Sequence, residues 1–143
     1  LFDRPQVIEM AKEMITKVNL MDRVTLIAGD YTKDALPGGH DLAFVSAIIH
    51  QNSTEENLAM HRNIYNALLP GGRIVVRDHI MNPDRTRPRG GAFFAVNMLA
   101  GTPGGGTYTE AEIRDSLEQA GFVRVKLIHP DQRMDGLMEA FRP

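Results

Sequence analysis

The sequence predicts an α/β fold: a doubly wound, mostly parallel sheet that closes in an antiparallel C-terminal strand pair. Three observations predict it. Strand-type and helix-type segments alternate along the chain, the pattern of parallel strands covered by helices. The run 41–46 (DLAFVS) is apolar almost throughout, as a strand covered on both faces must be. Acids and a histidine recur just beyond strand ends, the rim where open α/β sheets bind ligands.

The elements follow in order. Leu1-Phe2-Asp3 reads as the end of a buried strand, so the strand is expected to begin upstream and the chain to be a fragment. Residues 5–18 form a helix: Pro5 suits its first turn, and Val7, Met10, Met14 and Val18 recur at helical spacing along one face, which the spacing predicts to be buried. Residues 24–28 (VTLIA) form a short strand stopped by Gly29-Asp30, and residues 41–46 form the next. Ser53 with Glu56 makes a capping box that opens a helix running to about Leu69, where Pro70-Gly71-Gly72 ends it. Residues 73–77 (RIVVR) are a strand. Thr109 with Glu112 makes a second capping box, and Gly121 is placed to end that helix in a left-handed conformation. Residues 122–128 and 137–141 close the fold as an antiparallel pair, because their connection is short. The stretch 82–108 is the least regular, with a basic loop (PDRTRPRGG), an apolar segment and a glycine run (TPGGG), and reads as a lid or binding loop.

Composition narrows the class. The chain has 143 residues, 43% of them apolar, which suits one domain, 1–143, with a sizeable core. Sixteen Lys and Arg against eighteen Asp and Glu leave a net charge of −2, without the positive excess of a nucleic-acid footprint. There is no cysteine, which excludes disulfides, thiolate catalysis and Cys-zinc sites. No run approaches the roughly 20 apolar residues of a bilayer span. A soluble, cytoplasmic protein without membrane or nucleic-acid partners is the expectation.

The strand ends hold the candidate chemistry. Asp3 either accepts ribose hydroxyls, as acids at this position of nucleotide-binding sheets do, or serves the N-terminus of the following helix. Asp30, after Gly29, either accepts from an adenine amino group with Tyr31 against the ring, or is a turn carboxylate. His50, four residues past an apolar strand, titrates in the range a general base needs, and is otherwise a loop histidine. His61 reads as a semi-buried helix residue, and His40 and His129 as loop residues. Asp78-His79 is a weak metal motif without a spaced partner, so no metal site is expected. TPGGG is not a phosphate cradle, because no strand precedes it and no Lys-Ser/Thr follows.

Taken together, FDRPQVIEMA, RVTLIAGDYT, DLAFVSAIIHQNSTEEN, LLPGGRIVVRDHIM and MLAGTPGGGTYTEAEIRDSLEQAGF resemble the S-adenosylmethionine-dependent O-methyltransferases, in particular the family of caffeic acid and bacterial polyketide O-methyltransferases. The resemblance covers essentially the whole chain and implies a Rossmann-like sheet and a catalytic domain. It implies that a first strand, its glycine-rich loop and a helix precede Leu1. It also implies that this chain alone binds cofactor weakly or not at all and leaves apolar residues of DLAFVS and of the 5–18 helix uncovered.

Carried over residue by residue, the resemblance implies a cofactor site of Asp3 (ribose), Gly29, Asp30 and Tyr31 (adenine), and Ser46. His50 matches the general base, although Gln51 and Asn52 replace the Asp-Trp that follow it in the family. Asp78 matches an acid, usually Glu, that steadies the base, whereas Thr107 stands where a second supporting acid is usual. Phe94, Asn97 and Met98 match the acceptor-pocket segment, and with Phe93 they imply a flat, aromatic acceptor. The implied cofactor is S-adenosyl-L-methionine, and the implied assembly a homodimer. Methyl transfer to nitrogen or carbon, or a non-catalytic cofactor-binding module, are the alternatives.

Overall fold

Pro5 stands at the first helical position, where its missing N–H costs nothing, and starts helix α1 (Pro5–Lys17). The strand before it, β1 (Phe2–Asp3), pairs in parallel with β2 (Ile27–Ala28), Phe2 opposite Ile27 and Asp3 opposite Ala28. The strand expected over 24–28 is thus two residues long. The Val24 N–H is spent on the Leu20 carbonyl (3.1 Å), while the Thr25 carbonyl accepts from the Leu1 amine (2.8 Å) just before the ladder begins.

The computed structural model describes residues 1–143, which divide into units of residues 1–36 and 37–143. In the first unit the apolar stripe of α1 is exposed: Met10 is 67% and Met14 69% accessible, and Ile8 is the buried residue of the helix. Two strands of two residues each offer too little surface to cover a four-turn stripe.

The second unit is built on β3 (His40–Ser46), α2 (Thr54–Ala67), β4 (Leu68–Asp78), β5 (Ile80–Met81), α3 (Arg89–Gly101), β6 (Tyr108–Thr109), α4 (Glu110–Gln119), β7 (Val123–His129) and β8 (Gly136–Phe141). Its main sheet has the order β3-β4-β8-β7. The pair β3/β4 is parallel, and β8 runs antiparallel to both neighbours, as the short connection predicts. On β3, an edge strand, Leu42 and Phe44 are exposed, in line with the expectation that part of DLAFVS lies uncovered.

Both expected capping boxes form. Ser53 accepts from the Glu56 N–H (3.2 Å) while Glu56 accepts from the Ser53 N–H (2.7 Å), and Thr109 and Glu112 do the same. Gly121 follows α4 at φ +107, the left-handed position that favours glycine. Helix α2 ends two residues before its expected limit, because Leu68 already enters β4 and Arg142 donates to the Tyr65 (3.0 Å) and Leu68 carbonyls at its C-terminus. Ile74, Val76, Leu117, Met138 and Ala140 are wholly buried where the sheet meets the helices. Each larger one contributes about 1.5–3 kcal/mol of burial.

The stretch 82–108 is more regular than expected. Residues 89–101 are helical as α3, and Ile80–Met81 pairs in parallel with Tyr108–Thr109, so a small ladder bolts both ends of the insertion to the unit.

Candidate active site

The parallel register of β3 and β4 sets Ser46 opposite Arg77, so both strands end on one edge. Ala47 then adopts φ +56, with its N–H on the Arg77 carbonyl (2.9 Å). A non-glycine residue in the left-handed region is held there only by its surroundings. This turn sends the chain into a single 3₁₀ turn, Ile49–Gln51, that carries His50 to the last residue of β4.

There, Asp78 is fully buried and both of its carboxylate oxygens lie 2.9 Å from His50 Nδ1. Its Oδ1 also accepts the His79 N–H at 2.8 Å. A carboxylate can only accept, so His50 Nδ1 holds the proton and Nε2 is left as the basic nitrogen. The edge of Phe94 meets the His50 ring at 90° and 4.8 Å between centroids. His50 is itself buried, so little bulk water competes for its ring.

The other predicted residues of this unit fall unevenly. Met98 is half-buried and Asn97 and Phe93 are exposed, and within the acceptor segment Phe94 packs its ring on the histidine. Ser46 Oγ accepts from Arg77 Nη1 (3.1 Å) at the strand edge. Gln51 reaches back to the Ala47 carbonyl, and Asn52 donates to Asn57 Oδ1. Thr107 is buried, with its carbonyl accepting from Arg85 (2.7 Å). Asp78 is therefore the carboxylate that holds His50.

In the first unit, the parallel pairing brings Asp3 and the Gly29-Asp30 pair to one end, the Gly29 N–H bonding the Asp3 carbonyl (2.9 Å). Asp3 Oδ1 accepts the Arg4 N–H (2.7 Å) at the start of α1. Asp30 Oδ1 accepts from both the N–H and the hydroxyl of Thr32, which holds its carboxyl below the usual range, and its Oδ2 lies 3.4 Å from Lys33. Both carboxylates thus accept hydrogen bonds from their own chain neighbours. A Cβ on Gly29 would collide with the Phe2 ring, so the glycine lets β1 and this turn close together. Tyr31 follows, half-buried.

One pair escaped the sequence reading. His79 Nδ1 lies 2.7 Å from Asp131 Oδ2, and the Asp131 side chain is wholly buried. Asp131 also accepts from the Ile80 and Asp135 N–H groups, tying the β7–β8 turn to the end of β4. Phe94 packs against this second imidazole too, at 5.3 Å. Asp78 and His79 turn to different partners, and no three His, Asp or Glu side chains gather as a metal site. The available signal was the density of acids in the turn 130–135, with nothing to say which one turns inward.

The sequence profile of a family described as an O-methyltransferase domain matches residues 1–123. The chain belongs to this family. Among its O-methyltransferase relatives, the 3-hydroxy-5-methyl-1-naphthoate 3-O-methyltransferase of Streptomyces sahachiroi is 32% identical over 88% of this chain and 36% of its own length. The L-tyrosine C(3)-methyltransferase of Streptomyces lavendulae is 31% identical over 85% of the chain and 34% of its own. Human N-acetylserotonin methyltransferase, solved in complex with SAM, superposes with a TM-score of 0.87 at 26% identity, covering 99% of this chain and 39% of that one. The chain therefore spans little more than a third of the length of these relatives.

Proposed function

We propose that this chain carries the general base and acceptor-facing helix of an S-adenosylmethionine-dependent methyltransferase acting on a hydroxyl of a small aromatic acceptor. The observation that carries the reading is the buried His50–Asp78 pair, with both carboxylate oxygens on Nδ1 and Nε2 left basic. Membership of the O-methyltransferase family and the naphthoate relative support the reaction and the acceptor class.

The residues present suit the cofactor. Asp3 and Asp30 are two carboxylates at one end of the β1/β2 pair, the acceptors that ribose hydroxyls and an adenine amino group require. Gly29 and Tyr31 complete the cofactor residues proposed on the first unit, and Ser46 is the cofactor residue proposed on the second. When bound, S-adenosylmethionine supplies an electrophilic methyl on a sulfonium. His50 Nε2 takes the acceptor hydroxyl proton as the oxygen becomes the nucleophile. Asp78 steadies the imidazolium that results. Phe94 and Met98 offer an apolar wall for a flat ring, with Asn97 at the exposed edge. Most of the acceleration comes from alignment, the base adding about 10²–10⁴-fold.

In the intact protein, His50→Ala should lower turnover by about 10²–10⁴-fold while S-adenosylmethionine binds as before. A rate within a few-fold of the parent rejects the base and favours the second reading. That reading is methyl transfer to carbon, and it draws on Thr107 in place of a second acid and on the C-methyltransferase relative. The homodimer and the cytoplasmic location remain part of the proposal, on the family resemblance. No helix is long and apolar enough to cross a membrane.

A further inference from the structure

The glycine run of TPGGG lies against the main chain of His50. The Gly106 N–H donates to the His50 carbonyl at 3.0 Å. A Cβ on Gly105 would fall closer than 3.0 Å to that same carbonyl oxygen, and 3.1 Å from the Gln51 carbonyl carbon. Residue 105 is therefore glycine because the carbonyl of residue 50 occupies the space a side chain would need. The run is anchored at its other end. Thr102 Oγ1 accepts the Gly105 N–H (2.8 Å) and donates to the Met98 carbonyl (2.8 Å), so the loop hangs from the last turn of α3. Just beyond it, the Tyr108 hydroxyl donates to the Asn52 carbonyl. Thus the carbonyls of residues 50 and 52 are both gripped from residues 106–108.

We propose that residues 102–106 are a clamp that positions His50 through its main chain, with Gly105 and Thr102 as positioning residues for the base. The inference rests on the reading of His50 as base. Its physical content is that the 3₁₀ turn 49–51 is too short to hold the imidazole on Asp78 by itself. A turn of three residues closes few hydrogen bonds of its own, and its outward carbonyls need partners. The same anchoring ties the base to the helix that carries Phe94, since Thr102 is the C-cap of that helix.

The test uses the intact protein with four variants. Gly105→Ala forces the His50 carbonyl aside, and a misplacement on the order of an ångström costs about 10²-fold in rate. Thr102→Val removes the anchor and should cost about tenfold. Thr102→Ser keeps the hydroxyl and should stay within about twofold of the parent. Gly101→Ala, where a Cβ meets nothing within 4 Å, is the control.

Two readouts are taken. The first needs no acceptor: the nitrogen-15 resonance of His50 Nδ1, which reports its bond to Asp78, should move in Gly105→Ala and Thr102→Val and stay in Thr102→Ser and Gly101→Ala. The second is S-adenosylhomocysteine release with a hydroxynaphthoate acceptor, with cofactor affinity and melting temperature in parallel. The loss should fall on kcat, leave cofactor affinity alone, and vanish in a His50→Ala background.

An unmoved His50 resonance in both Gly105→Ala and Thr102→Val overturns the clamp. So does a kcat penalty that is equal with and without His50. If His50→Ala itself keeps the parental rate, the base reading fails instead, and the resonance still decides whether the loop places the ring. Should Gly105→Ala not fold, the Thr102 pair carries the test.

Discussion

Acidification should destabilise the second unit through His61, a buried histidine outside the His50–Asp78 pair. Its side chain lies between α2 and α4, 1% accessible, with Nδ1 2.8 Å from Ser116 Oγ and Nε2 without a hydrogen-bond partner. Protonation would add a charge and an unpaired N–H donor in that setting, so burial pushes the ring from 6.5 down to about 4. The unfolded chain therefore takes up a proton between these values that the folded chain refuses. Stability is fully present above pH 6.5 and is lost as the pH falls toward 4. At ~1.4 kcal/mol per pH unit, the loss relative to pH 7 is about 1 kcal/mol by pH 5.5 and about 3 kcal/mol by pH 4. Urea unfolding at these three pH values measures it. The comparison is the double variant His61→Leu/Ser116→Ala, which removes the titrating ring together with the hydroxyl it would otherwise strand. The step to pH 5.5 is the diagnostic one, since most carboxylates have not begun to titrate there. If parent and double variant lose equal stability over that step, His61 accepts its proton in place and the burial argument is wrong.

Three further outcomes follow from the geometry. Asp78→Asn presents an amide where His50 Nδ1 donates to a carboxylate, so kcat should fall by about 10²-fold or more with cofactor affinity unchanged. Steady-state kinetics decides this, and a parental kcat would remove Asp78 from the mechanism. Asp30→Ala should weaken S-adenosylmethionine binding by about tenfold or more, through loss of a hydrogen bond to a charged group. Calorimetry on the intact protein returning an unchanged Kd would leave Asp30 as the turn carboxylate of Thr32 alone. Ser53→Ala strips the side-chain half of the α2 capping box and should cost about 1 kcal/mol in urea unfolding. No measurable cost would show that the Glu56 half suffices.

The features legible in the sequence are those decided within a few residues. Ser53 with Glu56, Thr109 with Glu112, Pro5 and Gly121 act on the nearest helical turn, and each stands in the structure where local chemistry puts it. The antiparallel β7/β8 pair follows from chain connectivity in the same way. His50 and Asp78 were legible as candidates because strand ends mark the ligand rim of an α/β sheet. Helix α3 was not, since Gly90, Gly91 and an apolar run on every face hide any amphipathic stripe. The stripe on α1 marks the limit of spacing: it shows that a face can be buried, and only the neighbouring elements decide whether it is.

The tertiary structure alone decided the pairings between residues far apart in the chain. These are His79 with Asp131 across 52 positions and Gly106 on the carbonyl of His50; the pairing of His50 with Asp78 was implied by the family resemblance, and the structure added its 2.9 Å geometry. A carboxylate, a histidine or a glycine carries no record of its distant partner. That choice is made by sheet register and helix packing, which depend on the summed burial of the whole unit rather than on any local segment.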